Sequence, residues 1–432
     1  QRKEGFMSTE EKKNFQTFQD SNNVYKPLDE REASNFIKEV YSKNLPIEII
    51  GTNSKNFIGN KLQCAKVLDL SNLSGIVEYL PEELYIKVKA CTPINLIEKA
   101  LEKNNQQLAF EPIDFGYIKN FKSNKGTAAG QLSCNFSGSR RFKVGSIRDH
   151  VLGFRGINGK GDIIKSGGTV VKNVTGYDLS KLVTGSFGTL VALTEITFKV
   201  LPVKDSINTI AIYSEDNKIV TKLFDQLLSS SNEISGSVYI PNEPKNNNYT
   251  INREKILKFN DLKSEEPFLA LRIEGSKKSI EERSKEIFKE LELQKMKTSI
   301  LDFYQSKLFW EKINNIELFS GIKNNLLRAV IPPAKSLDLM KHLKNNFKYY
   351  IDWCGSLFWL EVLDNENEKI EEIKSIVVKL GGYLTIIKNS ENFTSDIDLF
   401  TINDTRLLLS KKIKESFDPK NLLNPGKMYR EV

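Results

Sequence analysis

The chain has 432 residues and a formal net charge of +8, from 63 Lys and Arg against 55 Asp and Glu, and its length predicts two domains of about 150 to 200 residues each. Because this mild excess forms no basic block interleaved with aromatic residues, it argues against a nucleic-acid-binding protein. The four cysteines, Cys64, Cys91, Cys134 and Cys354, contain no C-x-x-C pair, which argues against an iron–sulfur cluster.

The first predicted element is an amphipathic helix over residues 29–44, DEREASNFIKEVYSKN. Its apolar face combines Phe36, Ile37, Val40 and Tyr41, and its acidic start suits the N-terminal end of the helix dipole. Residues 1–24 are polar and lack periodicity, so we expect a mobile tail. Residues 1–6 precede Met7 and are left out of the fold argument.

A strand, PIEII, then leads into a loop of small residues, GTNSKNFIG. The loop fits neither the dinucleotide-binding fingerprint nor the P-loop, and a plain turn would explain it by itself. Residues 67–112 are predicted to form a strand, a turn, a strand and a helix. That helix begins near Thr92 and Pro93, and its predicted buried stripe is Leu96, Ile97, Ala100 and Leu101.

Residues 126–202 carry 13 of the 25 glycines of the chain. The runs HVLGFRGIN, DIIKSGG and TLVALTEITFKVL have the β-branched content and alternation of strands, and glycine-rich loops join them. Glycine permits positive φ and a close approach of backbone to a flat ligand, so the block predicts a backbone wrapped around a cofactor. Tight turns in an ordinary sheet are the alternative.

Residues 203–400 have fewer glycines and alternate strand-like runs (NTIAIYS, GSVYIPN, FLALRIEGS, LLRAVIP, SLFWLEVL, YLTIIK) with amphipathic helical runs (SIEERSKEIFKELELQ, NEKIEEIKSIVVKLGG). This alternation predicts a second α+β domain whose helices cover one side of an antiparallel sheet. We expect Trp310, Trp353 and Trp359 to be buried in it. The last segment is predicted as a helix that ends at Asp418-Pro419, followed by a turn at residues 424–426.

The stretches GSIRDHVLG, GGTVVKNVTGYDLSKLVTGSFGTLVALTEITFKVLP and FDPKNLLNPGKMY resemble the FAD-binding domain of vanillyl-alcohol oxidase type (PCMH-type) flavoproteins, and specifically the FAD-binding subunits of bacterial glycolate oxidases. The likeness extends over about residues 25–429. It implies an α+β fold, with a two-subdomain PCMH-type FAD-binding domain over residues 25–202 and an α+β cap domain over residues 203–400. Residues 401–432 are expected to return to the FAD domain.

The resemblance also implies which residues bind FAD, mostly through backbone donors. The expected set comprises the pyrophosphate loop (Gly51, Thr52, Asn53, Ser54, Lys55), the loop beside the isoalloxazine (Gly126, Thr127, Ala128, Ala129, Gly130), the following segment (Ser137, Gly138, Arg140, Arg141, Ser146, Ile147, Arg148, Asp149) and the far side of the pocket (Asn173, Tyr177, Asp178, Gly188, Leu190). For Arg148 and Asp149 a local ion pair is an equally good reading. At Gly130 we expect positive φ and a close approach of the backbone to the cofactor.

The chain has only two histidines, His150 and His342. Neither falls in the pyrophosphate loop and Cys134 is expected to be a structural thiol, so we predict noncovalent FAD. Related 2-hydroxy-acid dehydrogenases bind a metal through cap histidines, and Tyr383 stands where many of them would have His. We therefore predict no metal site and assign no catalytic residue.

The resemblance implies oxidation of glycolate to glyoxylate in a complex with a second FAD-binding, catalytic subunit and an iron–sulfur subunit that receives the electrons. We expect a cytoplasmic chain, because there is no secretory segment and no apolar run of the roughly 18 residues that span a bilayer. Contact with the inner membrane would be peripheral and through the partners. The alternatives are a self-sufficient FAD-dependent 2-hydroxy-acid dehydrogenase, such as one for D-lactate, and a non-catalytic flavoprotein scaffold.

Overall fold

A computed structural model describes residues 23–120, 122–169, 177–244, 248–249, 253–344, 346–394 and 396–432. Almost all of the predicted tail, residues 1–22, and the predicted site residue Asn173 lie outside these ranges. Within them, no helix is both long and apolar enough to cross a membrane.

The chain begins with a small parallel sheet of three strands in the order β1-β3-β2, where β1 is Val24–Tyr25, β2 is Ile47–Ile50 and β3 is Lys66–Asp69. Helix α1, Glu30–Lys43, packs on it and starts where Asp29 accepts a hydrogen bond from the backbone N–H of Glu32. The predicted face is confirmed for Phe36, Ile37 and Val40, whereas Tyr41 is only half-buried.

The second sheet is antiparallel, with the strand order β4-β5-β9-β7-β8. Its strands are β4 (Ile76–Leu80), β5 (Tyr85–Lys89), β7 (Val151–Ile157), β8 (Ile163–Gly167) and β9 (Ala192–Lys199). The helices of this part of the chain are α2 (Ile94–Glu102), α3 (Gly116–Asn120), α4 (Ala128–Cys134), α5 (Arg141–Val144), α6 (Ile147–His150) and α7 (Leu179–Val183). The strands expected in the glycine-rich block are thus present.

Two details of residues 67–112 differ from the prediction. The segment contains three strands before the helix, because β4 and β5 form a hairpin whose turn places Leu84 at φ 55°. Helix α2 buries Ile94, Ile97 and Leu101, whereas Leu96 is 42% exposed. The buried face of α2 therefore includes Ile94 and is rotated away from Leu96, compared with the predicted stripe.

Residues 206–388 form an eight-stranded antiparallel sheet in the order β14-β11-β13-β12-β16-β17-β15-β18. Its strands are β11 (Ser206–Tyr213), β12 (Ile234–Ile240), β13 (Phe268–Gly275), β14 (Thr298–Leu301), β15 (Asn325–Val330), β16 (Lys348–Asp352), β17 (Leu357–Val362) and β18 (Tyr383–Lys388). A short pair, β6 (Gln106–Gln107) and β10 (Leu201–Pro202), precedes it. Strands β14 and β16 were not predicted from the sequence, because they are short runs of four and five residues.

Helices cover both faces of this sheet, so the prediction of one covered side is wrong. One face packs against α8 (Asn217–Ser229), α10 (Lys277–Leu293), α12 (Ser336–Leu343) and α13 (Asn367–Lys379). The opposite face packs against α11 (Phe303–Asn314), the short helix α9 (Arg253–Ile256) lies near it, and residues of the first half of the chain complete that core. Trp310, Trp353 and Trp359 are 2–3% exposed there, which confirms their predicted burial.

The chain ends with α14, Asp404–Phe417, and a turn that returns to the first sheet. Leu423 bridges to Ile47 in β2, and the backbone N–H of Ile47 donates to the carbonyl of Leu422 over 2.8 Å. The C-terminal turn is thereby attached to the strand that leads into the predicted pyrophosphate loop.

Candidate functional site

A cleft lies where β2, α4 and the C-terminal turn meet. It has an empty volume of ≈ 810 Å³, including solvent at its mouth. Nine of the predicted site residues line it: Gly51, Thr52, Asn53, Ser54, Lys55, Thr127, Ala129, Gly130 and Gly188. The structure therefore brings both predicted cofactor loops to one cleft.

The first wall is the loop that follows β2. The loop turns at Asn53, whose φ is 55°. At Gly51 its backbone packs closely against Cys91, because an added Cβ would lie 3.0 Å from Cys91 Sγ. Small residues are needed here because the backbone itself forms the surface. The loop thus presents backbone groups to the cleft.

The second wall is α4 and the residue before it. Thr127 begins the helix, and its Oγ1 accepts a hydrogen bond from the N–H of Gly130 over 3.2 Å. Gly130 lies inside the helix and does not have positive φ, so our expectation for its conformation is wrong. The strained position is Gly126, with φ 72°, where an added Cβ would collide with Ser54 Oγ and lie 2.8 Å from Lys55 Nζ.

The C-terminal turn forms the third wall. The side chain of Asn424 joins two other walls, because its Oδ1 accepts from the N–H of Ile49 over 2.7 Å and its Nδ2 donates to the carbonyl of Phe187 over 2.8 Å. Lys427 donates to the carbonyls of Asn56 and Asn60 over 3.3 and 3.2 Å. The last residues of the chain therefore complete a cleft whose other walls lie hundreds of residues earlier.

Two ammonium groups line this cleft, those of Lys55 and Lys427. Lys55 Nζ donates to the carbonyl of Lys125 over 2.9 Å. Burial lowers the pKa of both lysines, against smaller opposing effects of neighbouring groups. Cys134 lines the same cleft, and burial raises its pKa to about 11 against the smaller opposing effects of the two lysines, so that it is a neutral thiol at neutral pH.

Other predicted site residues lie in the core or at helix ends. Ala128, Ile147 and Leu190 are buried in the core of the second sheet. Ser137 Oγ accepts from the N–H of Ile147 over 3.0 Å, and Ser146 and Asp149 cap α6 reciprocally.

Arg148, Tyr177 and Asp178 lie at the surface. Arg148 Nε donates to the carbonyl of Lys181 over 3.2 Å, and no ion pair within 4 Å joins it to a carboxylate of the described residues. Tyr177 is 92% exposed and Asp178 caps α7. Their predicted role toward the cofactor stays a prediction.

Gly138, Arg140 and Arg141 face the eight-stranded sheet instead. Gly138 accommodates the side chains of Asn314 and Glu111, where an added Cβ would lie 2.5 and 2.7 Å from their atoms. The guanidinium of Arg141 lies 4.3 Å from the ring centroid of Trp353.

Arg140 belongs to a charge cluster of Glu111, Arg140, Arg272 and Glu274. Glu111 Oε1 lies 2.8 Å from Arg140 Nη1 and 2.7 Å from Arg272 Nη1, and Glu274 pairs with both arginines. Burial opposes ionisation of Glu274, but the two arginines outweigh it and lower its pKa to about 2. This cluster holds the first half of the chain against the cap sheet.

Several residues of the cleft wall were not predicted from the sequence. They are Glu48, Ile49, Ile50, Asn56, Leu62, Cys91, Ser133, Cys134, Phe187, Val191, Leu193, Asn424 and Lys427. For Asn424 and Lys427 a signal existed, because FDPKNLLNPGKMY is one of the stretches that carry the resemblance. Glu48 and Asn56 are polar residues of β2 and the loop after it, and the remaining residues are apolar or small, with patterns that also suit an ordinary core.

The two histidines lie away from the cleft. His150 is 2% exposed, its Nε2 lies 3.0 Å from the carbonyl of Val144, and burial lowers its pKa. His342 lies on the exposed face of α12. No group of three or more His, Cys, Asp or Glu side chains with metal-binding geometry occurs among the described residues.

The composition of the cleft fits an anionic ligand. Its walls meet in tight backbone contacts, since a Cβ added at Gly126 or Gly188 would collide with Ser54 or Asn424, and two ammonium groups supply positive charge. A dinucleotide is such a ligand, because its diphosphate is held by backbone N–H donors and cations.

Comparisons with known proteins agree with this assignment. The family described as "FAD binding domain" matches residues 22–167. Glycolate oxidase subunit GlcE of Escherichia coli (strain K12) is 30% identical over 92% of this chain and 96% of its own length. Glycolate oxidase subunit GlcD of Bacillus subtilis (strain 168) is 25% identical over 70% of this chain and 68% of its own.

Among solved structures, an alkyldihydroxyacetonephosphate synthase superposes with a TM-score of 0.65 at 15% identity, covering 93% of this chain and 75% of that one. This likeness concerns the fold alone. Together the comparisons confirm the predicted α+β architecture with a PCMH-type FAD-binding domain, and FAD as the cofactor.

Proposed function

The chain belongs to the family of glycolate oxidase subunit GlcE, and from that premise we propose that it is the FAD-binding subunit of a multi-subunit enzyme that oxidises glycolate to glyoxylate. The observation that carries the proposal is the match to the Escherichia coli subunit over nearly the full length of both chains. FAD supplies hydride acceptance, and the chain supplies binding, orientation and electrostatics.

The proposed partners are a second FAD-binding subunit that carries the active site and an iron–sulfur subunit that receives the electrons. The match to GlcD supports the first, because the names of these two relatives describe subunits of one kind of enzyme. We propose that the complex works in the cytoplasm, with contact to the inner membrane only through the partners.

The positions of the histidines support this division of labour. Removal of the hydroxyl proton of a 2-hydroxy acid needs a base that titrates near the working pH, and histidine is the usual choice. His150 is enclosed against the carbonyl of Val144 and His342 faces solvent. Neither reaches the cleft that would hold the flavin.

The test uses the assembled complex with His150 and His342 both replaced by Gln. We expect glycolate-dependent dye reduction to fall by less than about tenfold. A loss of kcat by more than about a hundredfold, the scale of a lost general base, would place the chemistry on this chain.

A second candidate, a self-sufficient 2-hydroxy-acid dehydrogenase, is favoured by Arg328. This residue is 5% exposed, its guanidinium lies 5.0 Å from the ring centroid of Trp353, and its Nε has no hydrogen-bond partner among the described residues. Because Arg141 lies over the same ring, a substrate carboxylate would find two cations there. Turnover of D-lactate or glycolate by the isolated chain with an artificial acceptor, abolished by Arg328→Gln, would favour this candidate.

The attachment of the cofactor is tested separately. We propose that FAD is noncovalent, since the two cysteines that line the described cleft, Cys134 and Cys91, are neutral thiols whose pKa values burial raises to about 11 and about 12. Acid precipitation should release the yellow colour into the supernatant, whereas colour that stays with the protein would show a covalent link. A purified chain without absorbance near 450 nm would favour a scaffold without flavin.

A further inference from the structure

Two lysines, Lys414 and Lys427, are buried at the C-terminal end of the chain, and a third, Lys55, is partly buried in the cleft; the three differ in their partners. Lys414 is paired, because its Nζ lies 2.7 Å from Asp418 Oδ2 and also donates to the carbonyls of Thr189 and Leu423. Lys427 and Lys55 donate only to backbone carbonyls, and no ion pair within 4 Å joins either of them to a carboxylate of the described residues.

A buried ammonium without a counter-ion is costly, because desolvation penalises the charged form and carbonyl dipoles compensate it only in part. Burial lowers the pKa of all three lysines, so the difference between them lies in their partners and not in the pKa. Glu48 lines the same cleft and opposes the effect of burial on Lys427, but it forms no ion pair with Lys427 within 4 Å. Two such groups on one cleft indicate that a ligand supplies the missing negative charge.

Both ammonium groups line the same cleft and act on the pKa of the Cys134 thiol. Lys55 belongs to the loop after β2 and donates to the carbonyl of Lys125, whereas Lys427 belongs to the C-terminal turn and donates to the carbonyls of Asn56 and Asn60. An anion that reaches both ammonium groups therefore bridges the loop after β2 and the C-terminal turn.

We infer that Lys55 and Lys427 form a two-cation site for the diphosphate of FAD, and that FAD thereby adds a ligand bridge to the direct contacts between the C-terminal turn and the loop after β2. The inference rests on the FAD site of the proposed function, and it adds two side-chain charges to a site otherwise made of backbone. FAD carries two negative charges at its diphosphate, which matches two ammonium groups.

The turn is already attached to that loop before any ligand binds. The N–H of Asn60 donates to the carbonyl of Lys427 over 2.9 Å, and Asn60 Nδ2 donates to the carbonyl of Gly426 over 2.7 Å. A Cβ added at Gly59 would lie 2.6 Å from the carbonyl oxygen of Lys427, so the two backbones are in direct contact. The ammonium of Lys427 is therefore held in position.

The experiment compares flavin-free full-length chains of the wild type, Lys55→Gln, Lys427→Gln and Lys427→Arg. Lys420→Gln is the matched control, since Lys420 belongs to the same turn but is exposed and donates to the carbonyl of Tyr41. The affinities of FAD, ADP and riboflavin are measured by calorimetry. ADP carries the diphosphate without the isoalloxazine, and riboflavin carries the ring without phosphate.

We expect each Gln variant to weaken FAD and ADP by about tenfold or more and to change riboflavin by less than about twofold. Lys427→Arg should recover most of the FAD affinity, and the control should match the wild type. Unchanged FAD affinity would overturn the inference. Weaker riboflavin binding with unchanged ADP affinity would also overturn it, because the lysines would then serve the isoalloxazine.

A second readout separates a ligand site from a structural role. Removal of an unpaired buried charge should leave the melting temperature of the flavin-free Lys427→Gln chain equal to or above that of the wild type, while its FAD-dependent rise in melting temperature shrinks. A lower melting temperature of the flavin-free variant, with an undiminished rise on adding FAD, would contradict the inference. Failure of the wild-type chain itself to bind FAD would instead contradict the proposed function.

Discussion

The charge cluster and the cleft bury cations in opposite ways. In the charge cluster, Arg140 and Arg272 are each paired with Glu111 and Glu274, and the acids are 8–9% exposed. In the cleft, Lys55 and Lys427 have backbone carbonyls but no acid within 4 Å among the described residues. The comparison indicates that a buried cation with an ion-pair partner in the folded chain stabilises the fold, whereas a cation without such a partner is available to bind an anionic ligand.

Removal of one member of the charge cluster should have the largest effect on stability. In Arg272→Met, Glu111 and Glu274 keep only Arg140, so a buried carboxylate loses its nearest cation. We expect a loss of about 3–5 kcal/mol in the free energy of unfolding, measured by chemical denaturation. The FAD affinity of the molecules that remain folded should not change, and a selective loss of FAD affinity would break the distinction between the two regions.

Asp352 lies beside the charge cluster and has neutral partners. It accepts from Ser139 Oγ over 2.6 Å and from the N–H of Trp353, and burial raises its pKa from 3.8 to about 7. The carboxyl group of Asp352 therefore stays protonated in the folded chain up to about pH 7, whereas in the unfolded chain it loses its proton near pH 4. The free energy of unfolding consequently falls as the pH rises from about 4 to 7, and at higher pH this group changes it no further.

The variant Asp352→Asn should therefore gain stability relative to the wild type across that pH range. The expected gain is on the order of 2–4 kcal/mol, from about three units of pKa difference. Urea denaturation at several pH values measures it. A constant difference between pH 4 and pH 7 would show that Asp352 ionises in the folded chain as it does in the unfolded one.

A substitution in the cleft should act mainly on the ligand. In Gly126→Ala the new Cβ collides with Ser54 Oγ, and φ 72° is strained for any L side chain. We expect a loss of about 1–3 kcal/mol in stability together with loss of FAD binding, because the loop after β2 must move. Retained flavin with full 450 nm absorbance would show that this loop is not the cofactor wall. Ala at Gly168, where an added Cβ meets nothing within 4 Å, is the control.

The smallest effect is expected at Arg148, which belongs to neither region. Its side chain is exposed and donates to the carbonyl of Lys181. Arg148→Ala should change stability by less than about 0.5 kcal/mol and leave FAD affinity unchanged. A tenfold loss of FAD affinity would restore the expectation that this residue contacts the cofactor.

Much of the fold was predictable from the sequence, because local patterns and glycine positions carry it. Alternation identified β7, β8 and β9, and apolar spacing with Asp29 as the cap identified α1. The two cofactor loops were found through their small residues and the family resemblance. The sequence could not distinguish short strands such as β14 from loops, since four residues hold too few repeats of the alternation.

Only the tertiary structure decided which charged side chains have an ion-pair partner. Lys414 and Lys427 stand 13 positions apart in a lysine-rich terminus, and nothing in their local sequence separates the paired lysine from the unpaired one. The difference arises because Asp418 faces Lys414 within one helical turn, whereas Lys427 is carried across the cleft to a loop more than 360 residues earlier. Sequence determines the inventory of charged groups, and long-range packing determines which of them meet a partner.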